Sequence, residues 1–398
     1  MTTTDYAKLF TTLIGRRLHQ IDQALQCGSF IHDSVKQAQA LQALSYAMAI
    51  DTPDFANIIR LLRAMAPLME QVGHRNNWRA TLVQGCALCQ RMGHVAAEAD
   101  VCYHIGILYH RERNFAVARK WLTDALRAYE VAADRGGQSK TLHQLAYIAC
   151  LQRKYDQAAK LVEEAAPLAD DDPILRAMTY FLKGTIASDF QRWHEAELLF
   201  REALALRTVA GDQRRIAWSL LDLAWTLRKQ NSHDEAIACC QESAAIFLSL
   251  HDMQSWAASQ MNLGLLHHQT GDDCTAVEHY SAAIPHFKSC GDLLNLAKVY
   301  TNLGLAFLKL KQPNEAEKAF IASIEHCRLL ADHYMRLNAT DGLTMALLRQ
   351  QRYNDAMATL EAALAELPLI KDSPNYDYLY NSMRDHLAEA QLGQSSQV

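Results

Sequence analysis

The stretch Asn262-Leu263-Gly264-Leu265 recurs 40 residues later as Asn302-Leu303-Gly304-Leu305. A small residue occupies the glycine position of this motif at intervals of 40 residues, with one interval of 38, through most of the chain. We call these residues the anchors; they are Gly106, Ala146, Gly184, Ala224, Gly264 and Gly304, with Thr344 in the seventh position. A fixed period of this length is typical of a solenoid, in which each repeat packs against its neighbours.

An alanine follows each anchor after twelve residues. These alanines are Ala118, Ala158, Ala196, Ala236, Ala276, Ala316 and Ala356. Small side chains at both positions predict two helices per repeat that approach closely, because a larger side chain would push them apart. Seven residues further on, Ser243 and Ser323 replace an alanine such as Ala283, so looser packing is expected at these serines.

Successive repeats are joined by a residue that tolerates left-handed backbone, followed by aspartate, as in Gly211-Asp212 and Gly291-Asp292. Aspartate caps a helix start, and the residue before it ends the preceding helix. The sequence therefore predicts seven helix pairs after a degenerate first pair. Their bounds are 95–134, 135–172, 173–211, 212–251, 252–291, 292–331 and 332–368.

Flanking helices are expected on both sides of the repeats. The predicted organisation is an N-terminal helical segment at 1–52, a repeat array at 53–368, and a capping helix with a polar tail at 369–398. Within the first segment, residues 5–26 have the apolar spacing of an amphipathic helix. Thr52 and Pro53 are expected to cap and begin the first helix of the array.

Composition narrows the functional classes. The chain has 398 residues, of which 50% are hydrophobic and 21% are charged, which excludes a disordered chain. Its net charge is −5 and it has no basic run, so we expect no direct nucleic-acid binding. It has no apolar stretch of about 18 residues and no signal peptide, so we expect no membrane partner. Ten cysteines, mostly in helical segments, favour reduced thiols in the cytoplasm.

Motifs for catalysis or metal binding are weak. Cys86-Ala87-Leu88-Cys89 has no second cysteine pair at zinc spacing, which favours two buried thiols over a metal or redox site. The histidines at 267, 268, 279 and 286 lack the tight spacing of a metal-binding helix. Neither a phosphate loop nor a nucleophile elbow is present. We therefore expect a protein that is not an enzyme and that has no cofactor and no metal.

The chain resembles a tetratricopeptide repeat protein of the long, 40-residue type. The resemblance rests on the motifs at 262–265 and 302–305 and on the alanines Ala276, Ala283 and Ala316 that follow them. Similar long repeats form sensor arms of bacterial signal-transduction ATPases and occur in peptide-sensing regulators. The resemblance implies an all-α, right-handed α-solenoid superhelix of about eight helix pairs, with a concave groove.

Five positions of each repeat are expected to face that groove, namely six, three and two before the anchor, and one and four after it. The position two before the anchor forms a polar ladder of His104, Gln144, Asp222, Asn262 and Asn302, with Leu182 at the same position of one repeat. In similar repeat proteins an asparagine here bonds the backbone of an extended peptide. Apolar and aromatic candidates beside the ladder are Tyr103, Tyr147, Phe181, Trp218, Leu221, Trp225, Met261, Leu265 and Leu305. Basic candidates for an acidic partner group include Arg228 and Lys298, with Lys140, Lys309 and Arg349.

These patterns favour a non-catalytic adaptor that binds a protein segment or peptide, in bacterial signalling or defence. One alternative is a peptide-responsive regulator whose output is carried by residues 5–50. A second alternative is a structural scaffold that assembles into homo-oligomers.

Overall fold

The structure is a computed structural model that describes residues 3–26, 30, 33–69 and 75–396. The chain forms two compact units, Met1–Arg192 and Trp193–Val398. Across the described residues, the regular structure is helical throughout and contains no strand. None of the helices in these ranges is long and apolar enough to cross a bilayer.

The first unit contains nine α-helices in its described ranges. They are α1 Thr3–Gln26, α2 Ser34–Ala49, α3 Phe55–Met69, α4 Arg75–Met92, α5 Val95–Arg111, α6 Phe115–Val131, α7 Arg135–Leu151, α8 Tyr155–Ala165 and α9 Pro173–Asp189. A short 3₁₀ turn, Ala166–Leu168, follows α8. Fully buried residues such as Leu44, Leu61 and Trp78 join α2, α3 and α4 in one core.

The observed cap and first residue of α3 differ from the predicted ones. Helix α3 begins at Phe55, and both Thr52 and Pro53 precede it. The carboxylate of Asp54 accepts the backbone N–H of Asn57 at 3.3 Å. Asp54 therefore serves as the cap, because its side chain is the one within reach of a free N–H in the first turn.

The second unit contains ten α-helices among its described residues. They are α10 Trp193–Ala210, α11 Gln213–Lys229, α12 His233–Ser249, α13 Met253–Thr270, α14 Asp273–Cys290, α15 Leu293–Lys309, α16 Pro313–Leu330, α17 His333–Arg349, α18 Tyr353–Glu366 and α19 Tyr376–Ser395. A 3₁₀ turn, Leu367–Ile370, follows α18. The all-α prediction of repeated helix pairs is confirmed. The predicted pair 173–211 contributes α9 to the first unit and α10 to the second.

The joints between repeats have the predicted geometry. Gly291 has a φ of 68°, and the carboxylate of Asp292 accepts the backbone N–H of Asn295 at 3.1 Å. A left-handed residue and a capping aspartate recur at Gly211-Asp212, His251-Asp252 and Ala331-Asp332. One residue thus ends a helix and the next residue caps the following helix, so these joints all have the same length.

The anchors lie where the two helices of a pair meet. A Cβ added at Gly264 would lie 2.6 Å from Cε1 of Tyr280, and one at Gly304 would lie 2.7 Å from Cζ of Phe320. The alanines twelve residues after the anchors are all fully buried. Because the aromatic ring rests on glycine backbone, the side chain of the anchor sets the distance between the helices.

Ser243 and Ser323 do not loosen the packing as expected. Both side chains are fully buried. The hydroxyl of Ser323 donates to the carbonyl of Ala297 at 2.8 Å and lies 2.8 Å from the hydroxyl of Thr301. The hydroxyl of Ser243 donates to the carbonyl of Ala217 at 2.9 Å. Each serine satisfies its hydroxyl on the facing helix, so its extra polar atom carries no desolvation penalty.

The buried carboxylate of Asp341 on α17 forms hydrogen bonds with two side chains of α19. Asp341 accepts the hydroxyl of Ser382 at 2.7 Å and lies 2.8 Å from Nδ1 of His386. The hydrogen bond to Asp341 raises the pKa of His386, while burial opposes that shift. Protonation of His386 therefore strengthens the attachment of α19.

Gly264→Ala should lower the melting temperature, because the new methyl group overlaps the buried ring of Tyr280. The expected cost is about 1–3 kcal/mol of unfolding free energy. Gly15→Ala is the matched control, since no atom lies within 4 Å of a Cβ added there. The control should be neutral or gain about 0.5–1 kcal/mol through helix propensity. Equal melting temperatures for Gly264→Ala and the wild type would contradict the anchor role.

The attachment of α19 should weaken as the pH rises. The raised pKa of His386 means that its stabilisation is complete below the unfolded value of about 6.5 and is lost as the pH rises through the folded value. Amide exchange of α19, corrected for intrinsic rates, should show less protection at about pH 8.5 than at about pH 6. In His386→Gln the side chain cannot titrate, so this pH dependence should diminish. Undiminished dependence in that variant would refute the role of His386.

Candidate functional site

One cavity of the second unit is lined by the first helices of four consecutive pairs, α11, α13, α15 and α17. Its volume is about 290 Å³. The lining residues are Trp225, Arg228, Met261, Asn262, Leu265, Lys298, Thr301, Asn302, Met335 and Asn338. A cavity of this kind arises because equivalent positions of successive repeats lie side by side.

The cavity brings together seven of the sequence-predicted residues. They are Trp225, Arg228, Met261, Asn262, Leu265, Lys298 and Asn302. Nine of the ten lining residues occupy one of the five positions expected to face inward, and Met335 is the exception. The 40-residue register therefore locates most of this lining, although it does not name what binds there.

Free amide groups distinguish the cavity. Asn262 and Asn302 are half-buried, and neither side chain forms a hydrogen bond with any other described residue. Asn338, on α17, is also half-buried, and its side chain forms no hydrogen bond with any other described residue. A side-chain amide offers both donors and an acceptor, so these groups can bind a peptide unit.

The charge of the cavity is positive. Its lining contains Arg228 and Lys298 and no aspartate or glutamate. Neither cation has a carboxylate within 4.0 Å among the residues that the structure describes. Burial lowers the pKa of Arg228, and Tyr280 and Cys240 oppose that shift. Arginine stays protonated at neutral pH because its ordinary pKa is above 12, so the cavity presents a partly desolvated guanidinium.

Trp225 supplies an aromatic surface at one end of the cavity. Its side chain is 39% exposed, and its ring meets that of Trp193 edge to face at a centroid distance of 5.2 Å. The ammonium of Lys229 lies 5.6 Å from the Trp225 ring centroid. A large, rigid and half-exposed ring of this kind is typical of binding surfaces.

Three predicted residues of α11, Trp218, Leu221 and Asp222, lie outside this lining. Trp218 is 42% exposed and packs edge to face on Phe247 at a centroid distance of 5.3 Å. Burial raises the pKa of Asp222 to about 7, and the charge of Arg207 opposes that shift. The carboxyl group of Asp222 is therefore harder to ionise than a solvated carboxyl group.

Leu305, Lys309 and Arg349, on α15 and α17 of the second unit, also lie outside this lining. The remaining predicted residues belong to the first unit, on α5, α7 and α9. Tyr103 and His104 meet edge to face at 5.5 Å, and Tyr147 lies 6.2 Å from Phe181. These rings therefore contact their aromatic neighbours within the first unit. Lys140 is a candidate for an acidic partner group, but it lies 3.1 Å from the carboxylate of Asp100 and over the Tyr103 ring.

The side chain of Gln144 is engaged within the first unit. Its side chain is 7% exposed, and Nε2 lies 2.7 Å from Nδ1 of His110. Burial lowers the pKa of His110 to about 4, and the charges of Arg111 and Arg113 add to this effect. His110 lies four residues after the anchor Gly106, which is one of the inward positions. Its side chain reaches α7 of the next repeat and forms a hydrogen bond with the amide of Gln144.

Sequence reasoning missed three residues of the cavity. Asn338 and Thr301 occupy inward positions of the register, which is the signal that could have identified them. The hydroxyl of Thr301 is committed to the carbonyl of Ala297 and to Ser323. Met335 lies outside the inward positions, and no sequence signal indicated it.

The clustered histidines of α13 and α14 contact one another and neighbouring polar side chains. The rings of His267 and His279 stack at 5.3 Å, and Nδ1 of His279 lies 2.7 Å from the side-chain oxygen of Gln260. In the described ranges, the one group of three potential metal donors that lie together contains none of these histidines.

Comparison with known families and proteins agrees with the repeat pattern. The tetratricopeptide repeat family matches residues 175–249 and 295–365. The predicted resemblance to tetratricopeptide repeats is therefore confirmed for these stretches. No curated protein sequence gives a significant match.

Solved structures share the fold at low sequence identity. A signal transduction ATPase with a tetratricopeptide repeat sensor, from Pyrococcus horikoshii, aligns with 92% of this chain at 14% identity and a TM-score of 0.68. The aligned region is 55% of the ATPase chain, so this protein spans about half of that structure. The apo quorum sensor NprR from B. thuringiensis aligns with 80% of this chain and 88% of its own, at 17% identity and a TM-score of 0.60. A Rap protein complexed with Competence and Sporulation Factor aligns with 96% of this chain and 100% of its own, at 14% identity and a TM-score of 0.57.

His110 should stay neutral through the physiological range. Its imidazole resonances should titrate at about pH 4, not near the ordinary value of about 6.5. Because the unfolded chain binds this proton below about pH 6.5, the contribution of His110 to stability should be lost as the pH falls from about 6.5 to about 4. An NMR titration of the full chain tests this, with His110→Gln used for assignment. Titration of His110 near pH 6.5 would show that it is not held neutral beside Gln144.

Proposed function

Because two stretches of the chain are tetratricopeptide repeats, we propose that this protein is a non-catalytic binding module. Its ligand is an extended peptide segment, free or within a partner protein, that carries an acidic group. The segment occupies the cavity between α11 and α17 in the second unit. The observation that carries this proposal is that free amides and unpaired cations share one cavity without any carboxylate.

The amides suit a peptide backbone. Asn262 and Asn302 occupy the same position of consecutive repeats, on α13 and α15. Packed helices lie about 8–10 Å apart, and an extended chain advances about 3.3 Å per residue. Consecutive asparagines would therefore bond peptide units about three residues apart. Bonds to the backbone do not depend on the side chains of the ligand, so they provide affinity without sequence specificity.

The cations and the apolar lining provide selectivity. Arg228 can hold a carboxylate through two parallel hydrogen bonds, and Lys298 adds a second positive charge. An anionic group in the cavity would pair with the partly desolvated guanidinium of Arg228. Trp225, Met261 and Met335 form the apolar surface that an adjacent side chain would cover.

The related folds support a signalling setting for this binding. The ATPase from Pyrococcus horikoshii carries its repeats as a sensor, and NprR is a quorum sensor. The Rap protein was solved in complex with Competence and Sporulation Factor. We extend this sensing role to the present chain as part of the proposal.

Peptide arrays probed with the labelled full chain test this function. Acidic peptides should bind more strongly than matched peptides in which glutamine and asparagine replace the acidic residues. The double variant Asn262→Ala and Asn302→Ala should lose about 1 kcal/mol for each hydrogen bond removed, or about fivefold in affinity per bond. Arg228→Gln should weaken binding of the acidic peptides and reduce its dependence on salt.

The matched control is the double variant Asn314→Ala and Asn381→Ala, which removes two exposed amides of the same unit that lie outside the cavity. This control should bind like the wild type. Absence of array binding by the wild type would contradict the proposal, and so would equal losses in the two double variants.

A further inference from the structure

Two buried thiols and a carboxylate meet between α4 and α5 in the first unit. Sγ of Cys86 lies 3.6 Å from Sγ of Cys102, and both side chains are at most 5% exposed. A carboxylate oxygen of Glu98 completes the group, and the three donor atoms all lie within 4.8 Å of one another. It is the one group of three such donors within the described part of the chain.

Helix geometry explains why these side chains converge. Glu98 and Cys102 are four residues apart on α5, so both project from the same face. Cys86 and Gln90 are likewise four apart on α4. The amide of Gln90 donates to the carboxylate of Glu98 at 2.7 Å, which holds that carboxylate beside the thiols. Cys89 is also buried, but it is not part of this group.

The sulfur separation matches a tetrahedral metal site. A disulfide bond is about 2.05 Å long, so sulfurs at 3.6 Å are two separate thiols. Zinc–sulfur bonds are about 2.3 Å, and a tetrahedral angle between two of them places the sulfurs about 3.8 Å apart. A linear two-thiolate site would need about twice the bond length, or about 4.6 Å. The observed separation fits the tetrahedral arrangement and falls short of the linear one.

We propose that Cys86, Cys102 and Glu98 bind a zinc-type divalent cation. Thiolates select soft or borderline cations over magnesium or calcium, and a carboxylate is a known third ligand for zinc. On binding, each thiol releases its proton to solvent, and two thiolates and one carboxylate surround the cation. Gln90 acts as the positioning residue, because it orients the carboxylate of Glu98. The bound cation would link α4 to α5.

Cobalt(II) is a suitable probe, because tetrahedral thiolate ligation gives it characteristic sulfur-to-metal charge-transfer bands and strong visible bands. The reduced full chain, freed of metal by chelation, should bind one equivalent of Co²⁺ with these bands, and Zn²⁺ should displace it. Cys86→Ala and Cys102→Ala should lose the charge-transfer bands. Cys89→Ala makes the same chemical change one turn along α4, at a thiol outside the group, and should retain them.

Two further measurements separate ligation from folding defects. Zn²⁺ should raise the melting temperature of the wild type and of Cys89→Ala but not of Cys86→Ala. At free Zn²⁺ of about 100 times the dissociation constant, the unfolding equilibrium constant should fall about 100-fold. Glu98→Gln should keep the sulfur bands and weaken affinity by about tenfold or more.

Absence of charge-transfer bands in the wild type would overturn the proposal. Bands that persist in both Cys86→Ala and Cys102→Ala would also overturn it, because other cysteines would then be the ligands. Equal loss in Cys89→Ala and Cys86→Ala would show that core disruption, not ligation, is the cause. Unchanged affinity in Glu98→Gln would remove Glu98 from the ligand set. Each readout is independent of peptide binding in the second unit.

Discussion

Close packing of an aromatic ring on glycine backbone sets the helix spacing in the two repeats of the second unit whose anchors are Gly264 and Gly304. The ring of Phe320 on α16 lies against Gly304 of the same pair and against Gly342 of the next first helix, α17. One side chain therefore sets two distances, the one within a pair and the one between pairs. Any larger residue at either glycine would move both helices, since a close-packed interior has little free volume to absorb it.

The cavity follows from this packing together with the joints. At each joint of the second unit, a left-handed residue ends one helix and a capping aspartate begins the next. Each first helix therefore starts in the same register, and equivalent positions of successive repeats lie beside one another. The side chains at a few inward positions then determine the chemistry of a continuous surface. Asn262 and Asn302 are neighbours for this reason, and no specific contact is needed to bring them together. Their amides are left free because the fold does not use them.

The sequence predicted the helix pairs, the joints and much of the cavity because each depends on the 40-residue period. It did not predict features that depend on how far one side chain reaches into the next repeat. The bond between His110 and Gln144 is such a feature, since both residues look like free groove positions in the register. The convergence of Cys86 with Cys102 joins α4, which belongs to the degenerate first pair and has no anchor, to α5 of the pair 95–134. Its recognition required the relative rotation of α4 and α5, which only the structure supplies.

The charge of the cavity is the observation on which the proposed acidic ligand rests. Several cations elsewhere in the described residues are paired; Arg352 contacts the carboxylate of Glu317 at 2.8 Å, and Lys140 contacts Asp100. Arg228 has no carboxylate partner among the described residues, and burial lowers its pKa, while Tyr280 and Cys240 oppose that shift. Partial burial of a charge without an opposite charge beside it costs free energy. In the proposed complex, an acidic group beside Arg228 would offset part of that cost.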